Sequence, residues 1–394
     1  MISKVKLRRE KGEKRQSRQG HNMRKQNPPS PFPFPPSSAF TLIELLVVIG
    51  ILGILSALIL GVAAGAGERG REARTKAMIA RLHTLVMEQY DTYKDRRAPL
   101  SDQVVSAINM GVNSRTRGAV TAEARLYALR ELMIMEIPDR WSDVLLTGVV
   151  GAPASVSPRL PLYMKSTSSS FHRGPTPLIE AYRRQYYAIA NGTNSLTGVA
   201  NTIDNILDNQ GAECLYMVVM FATADGEARS LFNEQSIGDV DGDGAPEFLD
   251  AWGRPINFLR WAPGFESDLQ ANANNYVDDT SWTTWISQAD VDHDPFDLFR
   301  NDPFAFRVVP LIFSAGSDES YGLRTIKPSV TWRTANFALN STTWGTQNRR
   351  TYIAQTSRVT PFQTFTGDSE TAFYGTIRDD TAADNIHNHN ITSE

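Results

Sequence analysis

The sequence predicts an α+β protein: a long N-terminal helix, a partly helical middle and a β-rich C-terminal region with long loops. Three observations carry this. Leu45 to Gly67 contains no charged residue over 23 positions, which as helix spans about 34 Å, enough for a hydrocarbon core of roughly 30 Å. Apolar residues then recur at spacings of three and four as far as Tyr93. From Leu231 onward, turn residues alternate with short aromatic or β-branched runs, and six of the seven tryptophans lie there.

The elements follow in chain order. Residues 1–39 form a leader that is polar and basic, then proline-rich. Asn27 to Pro36 holds six prolines and is extended. Met23 is a second candidate start. The leader carries ten Lys or Arg and two Glu, a charge of +8, against −3 for the whole chain, so the remainder carries −11. A basic segment held on the cytoplasmic side leaves the bulk of the chain on the other face of a membrane. An acidic remainder argues against a nucleic-acid partner.

Residues 40–97 are expected to form the membrane-spanning helix and its continuation. Ile79, Leu82, Val86, Tyr90 and Tyr93 make one apolar face, with Arg74, Arg81 and Glu88 off it. Gly65-Ala66-Gly67-Glu68-Arg69-Gly70 matches G-x-G-x-x-G. A membrane-length helix precedes it where a dinucleotide site needs a strand, so it reads as a flexible joint. A secretory signal peptide cut after Ala64-Gly65-Ala66 would have a much shorter apolar run, roughly 7–15 residues. A plain anchor would not need Glu44, an acid at the head of the apolar run. Arg8-Arg9 lies too far upstream for a twin-arginine signal.

Residues 98–230 read as a mixed, partly helical insertion. Thr121 to Ile137 is a helix with Thr121 as N-cap, a stripe of Leu126, Leu129, Met133 and Ile137, and Pro138 as its stop. Ser155 to Pro177 is a connector. Pro175 to Ala190 is a short helix in which Tyr182, Tyr186 and Tyr187 pack. Cys214 to Thr223 is a buried strand or a buried helix; periodicity does not separate the two. Cys214 is the only cysteine, so no intramolecular disulfide exists, and it reads as a buried structural thiol. Residues 231–378 form the β-rich head, and 379–394 a disordered tail in which His387 and His389 stand alone.

Asp239-Val240-Asp241-Gly242-Asp243-Gly244-Ala245-Pro246-Glu247-Phe248-Leu249-Asp250 has the spacing of an EF-hand-type calcium loop. Hard oxygen ligands set closely around one ion are what Ca2+ needs. Asp239, Asp241 and Asp243 would give side-chain oxygens, Ala245 its carbonyl, Glu247 a contact through water, and Asp250 the closing carboxylate. The bland alternative is a solvated acidic turn. Asp290-Val291-Asp292-His293-Asp294 is a weaker relative, with Pro295 where glycine is needed. Asp318 with Glu319 marks another weak candidate loop. No G-x-S-x-G, H-E-x-x-H or Walker loop is present, and the six histidines form no spaced set.

Ala39-Phe40-Thr41-Leu42-Ile43-Glu44, opening a long apolar helix behind a basic leader, resembles the N-terminal signature of type IV pilins and type II secretion pseudopilins. The resemblance covers roughly Ala39 to Tyr93. It implies cleavage by a prepilin peptidase between Ala39 and Phe40, N-methylation of Phe40, and Glu44 as the assembly glutamate. The family usually has glycine before the cut, where this chain has Ala39. Asp250-Ala251-Trp252-Gly253-Arg254-Pro255-Ile256 and Ile312-Phe313-Ser314-Ala315-Gly316-Ser317-Asp318 resemble, in order, two elements of major pseudopilins. There they build a small antiparallel sheet and a calcium loop. The implied fold is pilin-like: a long N-terminal helix packed on a C-terminal head with a small antiparallel sheet.

The implied function is a structural, non-enzymatic subunit of a pseudopilus or pilus-like filament. It would be single-pass in the inner membrane before assembly, N-terminus cytoplasmic, with the head periplasmic or extracellular. Its partners would be copies of itself, other pilin-like subunits, prepilin peptidase and the assembly platform. The alternatives are a minor subunit with an adhesin or cargo-binding head and, further off, a membrane-anchored enzyme.

Overall fold

The computed structural model describes residues 41–109, 116–145, 176–222, 227–273, 287, 289–302, 305–325, 361–362, 364–365 and 372–391. Ala39, Phe40, most of the 155–177 connector and Trp282, Trp285, Trp332 and Trp344 lie outside them. The fold is α+β. A long apolar N-terminal helix is followed by a region of shorter helices and small antiparallel sheets.

Helix α1 runs unbroken over Leu42–Thr92, 51 residues. The expected joint at Gly65–Gly70 is helical. Glycine costs about 1 kcal/mol against alanine in a helix, but good helix formers follow here, with Arg71 against Glu68 (3.5 Å) and Lys76 against Glu72 (2.9 Å) one turn apart.

Contacts divide the chain into two units, Met1–Val62 and Ala63–Glu394. The boundary therefore falls inside α1 rather than at 97/98, and 230/231 separates no compact units. In the first unit the apolar side chains of α1, Leu42 to Val62, are all exposed. Among the described residues this is the helix long and apolar enough to cross a membrane.

In the second unit the rest of α1 buries the expected face: Ile79, Leu82, Val86, Tyr90 and Tyr93 sit in the main core. Helices α2 (Asp102–Asn109) and α3 (Arg117–Glu136) follow. α3 starts four residues before the expected Thr121. Thr116 caps it by accepting the Ala119 N–H, while Thr121 turns its hydroxyl back to the Arg117 carbonyl. Almost every side chain from Glu123 onward is buried, including Arg130 and Glu136. Glu136 is paired with Arg96 and accepts the Tyr93 hydroxyl at 2.6 Å.

Next come α4 (Trp141–Leu145), α5 (Pro177–Ala190), α6 (Ile203–Asp208), α7 (Gln210–Ala222) and α8 (Glu227–Leu231). The Cys214 segment is thus a helix, apolar on most sides because it is covered on most sides. It packs on strands β2 (Glu247–Phe248) and β3 (Asn257–Leu259). Cys214 is buried beside Trp141, Tyr182 and Tyr186.

β1 (Ile237–Gly238) pairs antiparallel with β2, so the acidic loop is the tip of a hairpin. The principal sheet is β3–β4–β7, antiparallel, with β4 at Leu311–Ser314 and β7 at Ile386–His387. Phe258 faces Ile312, and Phe313 faces His387. The Asp250–Ile256 element thus leads directly into β3, and the Ile312–Asp318 element begins within β4, its partner in this sheet. β5 (Thr364–Phe365) and β6 (Ala372–Phe373) form a further pair.

The tail corrects the expectation of disorder. Up to Ile391 it is ordered: a short 3-10 turn, then β7 on the free edge of β4, then the short helix α9 (Asn388–Ile391). A polar segment orders here because its polar groups find partners. Asn388 accepts the Ile312 N–H and donates to the Pro310 carbonyl (2.8 and 2.9 Å), and its amide meets His83 on α1.

Candidate functional site

Two places hold the residues singled out by the sequence. At the start of α1, Thr41 and Glu44 form a reciprocal cap. The Glu44 carboxylate accepts both the Thr41 N–H and its hydroxyl at 2.9 Å, and the Thr41 hydroxyl oxygen accepts the Glu44 N–H at 3.2 Å. This is the capping-box arrangement, in which two orphan donors of the first turn are satisfied by each other's side chains. The T-x-x-E spacing that produces it is in the sequence and could have been recognised there. Glu44 is therefore held at the helix mouth by local bonds, with its outer surface free.

The acidic loop is built differently from an EF-hand. Gly242 and Gly244 have left-handed backbones (φ 78° and 97°), which turn the chain tightly enough to bring successive carboxylates inward. The loop's own N–H groups orient those carboxylates. Asp239 accepts from Gly242 (2.7 Å) and Gly244 (3.0 Å), Asp243 from Ala245 (2.7 Å), and Glu247 from Val240 (3.2 Å). Asp241 accepts the Asn209 amide at 3.0 Å. From outside, the Asn194 and Asn201 amides hold the carbonyls of Asp241 and Asp243 at 2.8 and 2.7 Å. Ala245 is buried against the Trp141–Cys214 cluster and docks the loop on α7.

Asp250 does not join this group. One of its oxygens accepts the N–H groups of Trp252 and Arg254, both at 2.9 Å, and the other accepts the Ser314 hydroxyl at 2.6 Å. It fixes the Asp250–Pro255 turn against β4, and both its oxygens are committed. That turn in turn sits on α1: the Trp252 indole donates to Glu68 at 2.7 Å, and the Ala251 N–H to the Thr75 hydroxyl.

A carboxylate absent from the sequence motif lies beside the loop instead. Glu213, in the first turn of α7, brings a carboxylate oxygen within 4.8 Å of those of Asp241 and Asp243, while Asp239, Asp241 and Glu247 make a second such trio. Nothing in the linear spacing points to Glu213, which lies 26 residues before the loop. Burial, reinforced by the neighbouring negative charges, pushes the carboxyls up: Asp243 to about 7, Glu247 to about 8, and Glu213 well above its ordinary range.

The other acidic loops are neutralised within the protein. Asp290 pairs with Arg300 (2.6 Å), Asp292 with Arg307 (3.1 Å), and Asp294 and Asp302 with the buried Arg130 (2.7 and 3.1 Å). Asp318 is exposed and accepts the Ser320 N–H. Its own N–H, with the N–H and hydroxyl of Ser317, binds the carboxylate of Asp384 from the tail at 2.8–3.0 Å. The Ile312–Asp318 element thus ends in an anion-holding turn, and Asp318 belongs to no three-carboxylate group among the described residues.

Residues 36–60 match the family model described as the prokaryotic N-terminal methylation motif. Comparisons with curated proteins and with solved structures return no match. The matched stretch spans Ala39, Phe40, the Thr41–Glu44 cap and the first turns of the exposed apolar helix. The chain therefore carries at its N-terminus the methylation signature of type IV pilins and pseudopilins.

Proposed function

We propose that this chain is a structural subunit of a type II secretion pseudopilus or type IV pilus-like filament. The observation that carries this is the methylation motif set on the capped start of an exposed apolar helix. Prepilin peptidase cuts between Ala39 and Phe40, the new amine of Phe40 is methylated, and the apolar part of α1 anchors the subunit in the inner membrane. The assembly platform then draws it into the filament among copies of itself and other pilin-like subunits. A carboxylate in the middle of a bilayer costs about 2.5–3.5 kcal/mol even on the mildest scale. Pairing Glu44 with the Phe40 ammonium of a neighbouring subunit offsets that cost and sets the register between helices. Such a step exchanges the local Thr41 cap for an intermolecular partner.

Mass spectrometry of the mature protein should give an N-terminus at methylated Phe40. Glu44→Ala should still be cleaved and membrane-inserted, with incorporation into filaments reduced at least tenfold. A mature chain beginning near Gly67, or normal incorporation of Glu44→Ala, would sink the reading. The bulk of the second unit, Ala63–Glu394, favours a minor subunit whose head contacts cargo or a surface. Counting this subunit per filament separates that role from the major one.

A further inference from the structure

Five carboxylates meet where the β1–β2 hairpin loop touches α7, and their oxygens are used asymmetrically. In three of them one oxygen is tied down and the other is bare. Asp243 holds the Ala245 N–H, Glu247 the Val240 N–H and Glu213 the Trp141 indole N–H. The second oxygens of Asp243, Glu247 and Glu213 have no hydrogen-bond partner, although these residues are only 2%, 0% and 1% exposed. A bare, buried carboxylate oxygen costs the full desolvation of that group. Two of them, on Glu213 and Asp243, fall in one trio with Asp241, and the third, on Glu247, falls in the adjoining trio; together they constitute a demand for a cation.

The described side chains supply none. Elsewhere in the described core, buried carboxylates meet arginines: Arg130 for Asp294 and Asp302, Arg260 for Asp139 and Asp143. Among the described residues no lysine or arginine pairs with Glu213, Asp239, Asp241, Asp243 or Glu247.

We propose that Glu213, Asp241 and Asp243 form a calcium site that joins the first turn of α7 to the tip of the β1–β2 hairpin, flanked by the second trio of Asp239, Asp241 and Glu247. Two oxygens bound to one calcium at about 2.4 Å lie at most about 4.8 Å apart, the spacing found within both carboxylate trios. An all-oxygen, carboxylate-rich shell on a glycine-containing loop suits calcium, which accepts six to eight ligands in loose geometry. Magnesium demands a tighter octahedron and keeps its waters. The site borrows the D-x-D-x-D-G loop but closes on Glu213 from a helix earlier in the chain, leaving Asp250 to its structural turn. This inference is independent of how the N-terminus is processed.

The test uses the full chain in detergent micelles, with calcium as the probe. Equilibrium dialysis against 1 mM calcium with a tenfold excess of magnesium should give one calcium per chain. The melting temperature should rise by roughly 5 °C relative to chelator. Glu213→Gln and Asp243→Asn should each lower calcium affinity at least tenfold, while Asp250→Asn binds as the wild type does. Circular dichroism of each variant in chelator, superimposable on the wild type, confirms that the loss is one of ligands. No saturable binding by the wild-type chain overturns the site. Loss of binding in Asp250→Asn with retention in Glu213→Gln overturns this ligand set in favour of a simple EF-hand loop.

Discussion

Arg260 shows what a single side chain holds together. It is buried, donates to the Asp143 carboxylate (2.8 Å) and the Ile137 carbonyl (2.7 Å), and lies 3.5 Å from Asp139. Its guanidinium also stacks over Trp261 at 4.5 Å. It thus neutralises two buried acids and satisfies the carbonyl end of α3. Burial raises the Asp143 carboxyl to about 6 even so. Arg260→Ala leaves Asp139 and Asp143 with Arg140 alone, at 3.1 and 3.6 Å, and removing one partner of such a buried group costs about 3–5 kcal/mol. We expect a loss of that size in urea unfolding of the detergent-solubilised chain. None of this was legible in the sequence, because Arg260 and Asp143 are 117 residues apart and only the fold brings them together. Glu44 was legible for the opposite reason: it is a lone acid at the head of a long uncharged run, although its cap with Thr41, three residues away, went unread. Asp250 lies between these, since its spacing offered two roles and only the Ser314 contact decides between them.

At the scale of elements, legibility follows how much of an element's stability is its own. The apolar face from Ile79 to Tyr93 was readable because helical periodicity marks it. The tail was not. Asp384-Asn385-Ile386-His387-Asn388-His389 has no apolar period, and its order comes from bonds to β4, Pro310 and His83. This segment carries a pH dependence. Burial lowers both His389 and His387 to about 4, and the neighbouring His387 lowers His389 further. His389 also meets the Ser267 hydroxyl at 2.8 Å. A histidine held below its ordinary 6.5 binds protons more readily when unfolded. Its stabilising contribution is complete above pH 6.5 and is lost as pH falls towards 4. For His389 this amounts to about 3 kcal/mol across the window. Stability should fall from pH 7 to pH 4.5, and His389→Gln should flatten that slope whatever it does to the stability at pH 7.

At the scale of the whole molecule, the boundary inside α1 decides which fragment can stand alone. A head begun after Lys94 would lack Ile79, Leu82, Val86, Tyr90 and Tyr93, all in the main core. Burying five such side chains contributes on the order of 10 kcal/mol, comparable with the entire stability of a domain, about 5–15 kcal/mol. A chain beginning at Glu68 should therefore be soluble and show a cooperative melt. One beginning at Asp95 should aggregate or stay unfolded, as gel filtration and circular dichroism would show. The contact between His83 and Asn388 spans 305 residues, so the first helix of the head is clasped by the last. Long-range closures of this kind come late in folding. If the head crosses a membrane as the proposed function requires, the His83–Asn388 clasp closes only after the segment around Asn388 has followed, and until then the first helix of the head waits without its far partner.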